Sequence, residues 1–181
     1  MTILEIRTYP DPILQQKAEP VEQFDDELRR LLADMTATMY EAPGVGLAAP
    51  QVGVSLRAIV VDASPRVEDA RLLKLVNPVV VSTEGEAVYE EGCLSVPGFS
   101  AEVTRPSKIR VEAFDEHGEP VVIETETFLA TVIQHEIDHL NGVLFIDHLG
   151  RLRRELIRKK LKKHARQEMK AKMKKKTQTA F

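Results

Sequence analysis

Apolar residues recur along this chain with two different periods, and the periods divide it into elements. Leu28, Leu31, Leu32, Met35 and Met39 return at intervals of three and four, which places them on one face of an α-helix. Asp25 stands where an N-cap belongs, and Pro43-Gly44 stops the run near Glu41. Ahead of that helix, Tyr9-Pro10-Asp11-Pro12 is a turn, because each proline fixes its own φ and biases its predecessor away from helix; Ile13 and Leu14 then begin a short packed turn. Beyond Gly53, β signals dominate. Residues 57–62, and 73–76 continuing through 79–81, read as strands, with Pro78 at an edge or bulge because it has no N–H for a ladder. Residues 109–113 and 121–126 alternate on either side of 115–120 and predict an antiparallel hairpin, with His117 solvated at its turn. Ile133, Ile137 and Leu140 restore helical spacing. A helix, several strands and then helices predict an α+β fold with a mainly antiparallel sheet.

The last stretch differs in charge. Leu152, Leu156, Ile157, Leu161, Ala165, Met169 and Met173 keep helical spacing among lysines and arginines, predicting one amphipathic helix from about Leu149 to Lys174 that frays over Thr177-Gln178-Thr179. From Leu149 onward lie 14 of the 25 Lys and Arg but only two of the 28 acids, so this tail is +12, residues 1–148 are −15, and the whole is −3. The asymmetry separates a body, 1–148, from a basic helical extension, 149–181. Two readings of the extension compete: a solvated helix that packs only its first turns, and a helix that contacts RNA phosphates.

Composition narrows the class. With 181 residues, 43% of them hydrophobic and 29% charged, the chain can bury one substantial core. It has no apolar run long enough for a membrane span and no basic-then-apolar start, so a soluble cytoplasmic protein without a membrane role is expected. Cys93 is the only cysteine, which excludes an intramolecular disulfide and suits a reducing compartment. The glycines and small residues of 44–53 let backbone approach a ligand closely, yet they match neither a dinucleotide nor a P-loop fingerprint, which disfavours phosphate binding.

The chemistry concentrates at Gln134-His135-Glu136-Ile137-Asp138-His139-Leu140. On a helix, residues four apart point nearly the same way, so His135 and His139 can share a metal while Glu136 reaches a water on it. A lone histidine is usually structural; the pair with its glutamate is not a common accident. A catalytic centre needs a third protein ligand. One peptidase pattern would continue to a histidine where Phe145 stands, and another would take a later glutamate, here only Glu155 or Glu168 among lysines and arginines. Cys93, displayed after Glu90-Glu91-Gly92 in what reads as an irregular strand end, is the best available partner on residue chemistry. A metallopeptidase and a structural metal or RNA-binding module remain the alternatives.

Three separated blocks, 44–51 (Gly-Val-Gly-Leu-Ala-Ala-Pro-Gln), 91–95 (Glu-Gly-Cys-Leu-Ser) and 134–140, resemble in content and order the signature motifs of the peptide deformylase family. The similarity extends from Pro10 to about Asp147. It implies antiparallel sheets packed around a central metal-binding helix, and removal of the formyl group from N-formylmethionine on new polypeptides. It implies Cys93, His135 and His139 as metal ligands and attack by a metal-bound hydroxide with Glu136 as general base and then acid. Gln51 and the backbone N–H of Leu94 would polarise the formyl oxygen. Gly44, Val45, Gly46, Tyr89, Glu91, Phe128 and Val132 are the candidate substrate walls. Thr131 stands where relatives also carry a larger apolar residue, and Arg105 is implied to hold Glu91. The ligands permit zinc, nickel or cobalt, and the family implies Fe2+. Nascent peptides, and ribosomal RNA for the tail, are the implied partners, with no DNA.

Overall fold

The computed structural model describes residues 1–64, 66–67, 71–126 and 128–178. After a 3-10 turn at Pro12–Gln15, α1 spans Asp26–Glu41. Asp25 caps it as expected, its Oδ1 accepting from the Glu27 and Leu28 N–H groups at 3.0 Å each. Strands β1 (Gly46–Ala48), β2 (Ala58–Val61) and β3 (Leu73–Glu84) follow, then β4 (Ala87–Gly92), β5 (Ser100–Arg105), β6 (Lys108–Phe114) and β7 (Pro120–Thr125). Helix α2 covers Phe128–Leu140 and α3 covers Arg151–Gln178. Five strands form one antiparallel sheet in the order β1-β2-β3-β6-β7, and β4-β5 form a separate hairpin.

The period-two alternation places neighbouring residues on opposite faces. Leu47, Ala58, Val60 and Val76 meet Leu28, Leu32, Met35 and Met39 of α1. Their neighbours Ala48, Ile59, Val61 and Leu75 meet Ile133, Ile137 and Leu140 of α2 on the other side. The sheet is thus the middle layer between α1 and α2, and each of these large side chains contributes about 1.5–3 kcal/mol by leaving water. Pro78 sits at a bulge: pairing shifts between Val76 and Val79, and Asn77 takes φ +51. The Asn77 amide holds that bend by accepting from Val21 N–H at 2.8 Å and donating to Val21 O at 2.9 Å.

The third cluster joins Tyr9, Val96, Val103 and Phe145 to Ile157 and Leu161 of α3. The expected apolar stripe of α3 does not run its full length against the body, for Leu152, Leu156, Met169 and Met173 are exposed. The helix also continues past the expected end, through Thr177 to Gln178, while Thr179 lies outside the described residues. Three short strands are not assigned by the sequence pattern: β1, hidden in a glycine-rich segment, and β4 and β5, of which only the end of β4 before Cys93 reads as a strand.

Candidate metal centre and peptide cleft

Helix α2 brings its histidines to the loop that leaves β4. Cys93, His135 and His139 each offer a ligand atom, and the three atoms lie within 4.8 Å of one another. Cys93 Sγ is 3.2 Å from His139 Nε2. His135 Nδ1 is 2.8 Å from Glu91 Oε2, so it donates to that carboxylate and leaves Nε2 for a metal. Arg105 grips Glu91 with both arms, Nε to Oε1 at 2.5 Å and Nη2 to Oε2 at 3.0 Å, and its Nη1 donates to Asp138 Oδ2 at 2.8 Å. Of the later glutamates, Glu155 pairs with Arg158 at 3.7 Å rather than joining this group, the Glu168 side chain lies outside the described residues, and Phe145 stacks on His135 with ring centroids 6.3 Å apart.

Electrostatics favour ligation. Burial pushes the Cys93 thiol up, but the charge and hydrogen bonds of His139 and His135 outweigh it and hold the thiol well below its ordinary value. Burial pulls His135 down, and its bonds to Cys93 and Glu91 hold it well above. The lowered thiol favours the thiolate, which is the form that binds a metal. Glu136 is a different case: burial raises its carboxyl to about 7, and its Oε2 is buried without a partner among the described residues.

Gln51 is buried and oriented at both ends, Oε1 accepting from Ala48 N–H at 2.8 Å and Nε2 donating to Ser95 Oγ at 3.1 Å, with Cys93 Sγ 3.6 Å away. Ser95 was not singled out from the sequence, although it closes the 91–95 motif. Gly46 lies against Glu136: a Cβ there would be 2.3 Å from Glu136 Oε1. A cavity of about 640 Å³ opens over these groups. Gly44, Val45, Gly46, Gln51, Glu91 and Leu94 line it, together with Phe128, Thr131 and Val132. Tyr89 does not; it packs edge-to-face on Phe128 at 5.4 Å. Arg66, whose guanidinium lies 4.9 Å from the Phe128 ring centre, lines the cavity without having left a sequence signal.

An α+β domain that seats a cysteine sulfur and two imidazoles beside a buried, unpartnered carboxylate oxygen has the donor set and the proton carrier of a metallohydrolase. Comparison with known proteins makes this particular. The sequence model of the polypeptide deformylase family matches residues 3–155. The peptide deformylase of Brucella suis biovar 1 (strain 1330) is 49% identical over 168 residues, 92% of this chain and 96% of that one. That of Thermodesulfovibrio yellowstonii is also 49% identical, over 90% of this chain and 98% of its own. The crystal structure of a peptide deformylase from Legionella pneumophila superposes with a TM-score of 0.84 at 48% identity, covering 93% of this chain and 98% of that one. A peptide deformylase from Ehrlichia chaffeensis in complex with actinonin gives 0.86 at 38% identity, covering 91% and 98%. The chain belongs to the polypeptide deformylase family, and it is an enzyme that removes the N-formyl group from nascent peptides.

Proposed function

We propose that the chain cleaves the formyl group from N-formylmethionine at the start of new polypeptides and releases formate, with Cys93, His135 and His139 holding one divalent ion. The supporting observation is the convergence of those three ligand atoms beside a buried carboxylate oxygen that has no protein partner. The donor set suits such an ion: one thiolate charge and two neutral imidazoles leave a divalent cation net positive. When bound, the ion supplies the Lewis acidity that brings a water's proton loss into the neutral range.

Glu136 takes the proton of the attacking water and carries it to the amine as the C–N bond breaks; a carboxyl raised to about 7 can do both near neutral pH. The oxygen that gains charge accepts from Gln51 Nε2 and the Leu94 N–H, each donor of this kind contributing about 3–4 kcal/mol in the transition state. Val45, Phe128 and Val132 receive the apolar methionine side chain. The peptide behind it lies extended, because β1 is a sheet edge, β4 pairs only with β5, and both border the cavity.

We take ferrous iron as the working ion, with zinc, nickel or cobalt able to occupy the same ligands. Residues 1–148 form the catalytic unit and 149–181 its basic extension, acting in the cytoplasm; no helix among the described residues is long and apolar enough to cross a membrane. The exposed part of α3 contacts ribosomal RNA. Because Ile157 and Leu161 are core residues, the clean test of that contact removes only residues 166–181 and expects weaker, less salt-dependent ribosome association. The activity is tested by measuring formate from a short formyl-methionyl peptide, anaerobically with iron-loaded protein, beside a non-formylated control; no formate from the formylated peptide refutes the reading.

A further inference from the structure

The carboxylate that orients His135 does not stand alone. Glu91 is held by Arg105, Arg105 by Asp138, and Asp138 Oδ2 accepts in turn from His148 Nε2 at 2.7 Å. Each link is within hydrogen-bond reach, so an unbroken chain of side chains runs from the surface to Nδ1 of a proposed metal ligand. Its inner members are almost fully enclosed, with the Arg105 and Glu91 side chains 4% and 5% exposed, while Asp138 is 20% and His148 35% exposed.

An exposed His–Asp pair by itself contributes little. This one is braced from a second side. Phe145–His148 is a 3-10 helix, in which residues three apart eclipse, so Phe145 and His148 share a face. Phe145 stacks on the His135 ring with 22° between the planes, and His148 meets Asp138. The intervening Asp147 is fixed, Oδ2 accepting from Leu144 N–H at 3.0 Å and Oδ1 from Arg158 Nη2 at 2.6 Å. The short helix therefore touches the ligand ring directly and reaches its far nitrogen through three side chains.

We infer that His148 is a positioning residue for the metal centre: by holding Asp138 against Arg105 it fixes Glu91, and so the ring orientation and proton placement of His135. The inference rests on the functional reading above. Partners of this kind, in direct contact with a ligand, change metal affinity about 10- to 100-fold, and a residue at the outer end of the chain should act at the lower limit. The test strips the full-length protein of metal and titrates it with Zn2+ against a competing chelator, then with Co2+ while recording its visible absorption. The expected result for His148→Leu is a Kd for Zn2+ about tenfold weaker and shifted cobalt bands, and for His148→Gln, which can still donate to Asp138, a Kd within about twofold of the parent. A His148→Leu protein with parental Zn2+ affinity and cobalt spectrum overturns the inference, as does a His148→Gln protein no better than His148→Leu. A lower unfolding temperature with unchanged affinity marks a purely structural contact and overturns it equally. A parent chain that takes up no ion overturns both this inference and the reading it rests on, whereas a loaded parent with an indifferent His148→Leu overturns this one alone.

Discussion

Adding one methyl group at Gly46 should disable the reaction without emptying the metal site. A Cβ there would stand 2.3 Å from Glu136 Oε1, 2.8 Å from its Cδ and 2.9 Å from its Cγ. Gly46 is held in β1 opposite Val61, so the side chain gives way before the strand does. Restoring an ordinary contact moves the carboxylate by about 1 Å, and a misplacement of that size costs about 10²-fold in rate, or about 2.7 kcal/mol of transition-state stabilisation. The methyl faces Glu136 rather than the ligands, so the bound metal should match the parent protein. Steady-state formate release, with kcat and KM separated, and metal content by atomic emission make the check. Gly46→Ala should lose kcat with little change in KM; a kcat within about threefold of the parent, or a loss that simply tracks missing metal, refutes the reasoning.

The remaining outcomes concern the ligands, the proton carrier and a surface contact. Cys93→Ser should lose the ion on dialysis against a weak chelator, whereas a peptidase with a carboxylate or histidine third ligand would keep it. Glu136→Ala should retain metal and lose about 10²- to 10⁴-fold in activity, an outcome that a structural metal site would not produce. Tyr40, half exposed, donates to Asp62 Oδ2 at 2.5 Å, and Tyr40→Phe should cost about 1 kcal/mol at pH 7 in urea unfolding. That cost depends on pH in a fixed direction. Burial pushes the Asp62 carboxyl up, but bonds from Tyr40 and Ser64 bring it below its ordinary 3.8, and the bond to Asp62 lifts Tyr40 from 10 to about 12. Asp62, depressed on folding, contributes above 3.8 and loses its contribution as pH falls through the folded value; Tyr40, raised, contributes below 10 and loses it as pH climbs through about 12. The difference between the two proteins should therefore be flat between those ordinary values and shrink outside them.

What could be read from residue order was whatever local chemistry dictates. The stripe of α1 and its Asp25 cap, the alternation of β6 and β7, and the bulge at Pro78 all follow from neighbours in the chain. Residue chemistry makes Cys93 the best available partner for the two histidines, and the family resemblance implies it as the third ligand. Less visible were elements whose pattern is broken by function. β1 carries Gly46 because Glu136 needs the space, and the glycine makes the strand look like a loop. β5 turns Ala101, Val103 and Arg105 inward, so the charge that holds Glu91 hides the alternation of apolar residues. Position relative to the motifs puts Tyr89 in the cleft, whereas its ring packs on Phe128 and does not line the cavity. The link from His148 to Asp138 joins residues ten apart across a turn and has no periodic signature.

The five-stranded sheet also ends on β7, away from the cleft. Pro120 heads this outer strand, and Glu124 is exposed and bonded back to Arg110 at 2.5 Å. A proline that gives no ladder N–H and a charge held on the rim are poor templates for another chain. Replacing Glu124 with an apolar residue would enlarge a rim that already exposes Val122, and concentrated solutions should then turn cloudy through edge-to-edge stacking while dilute enzyme keeps its rate.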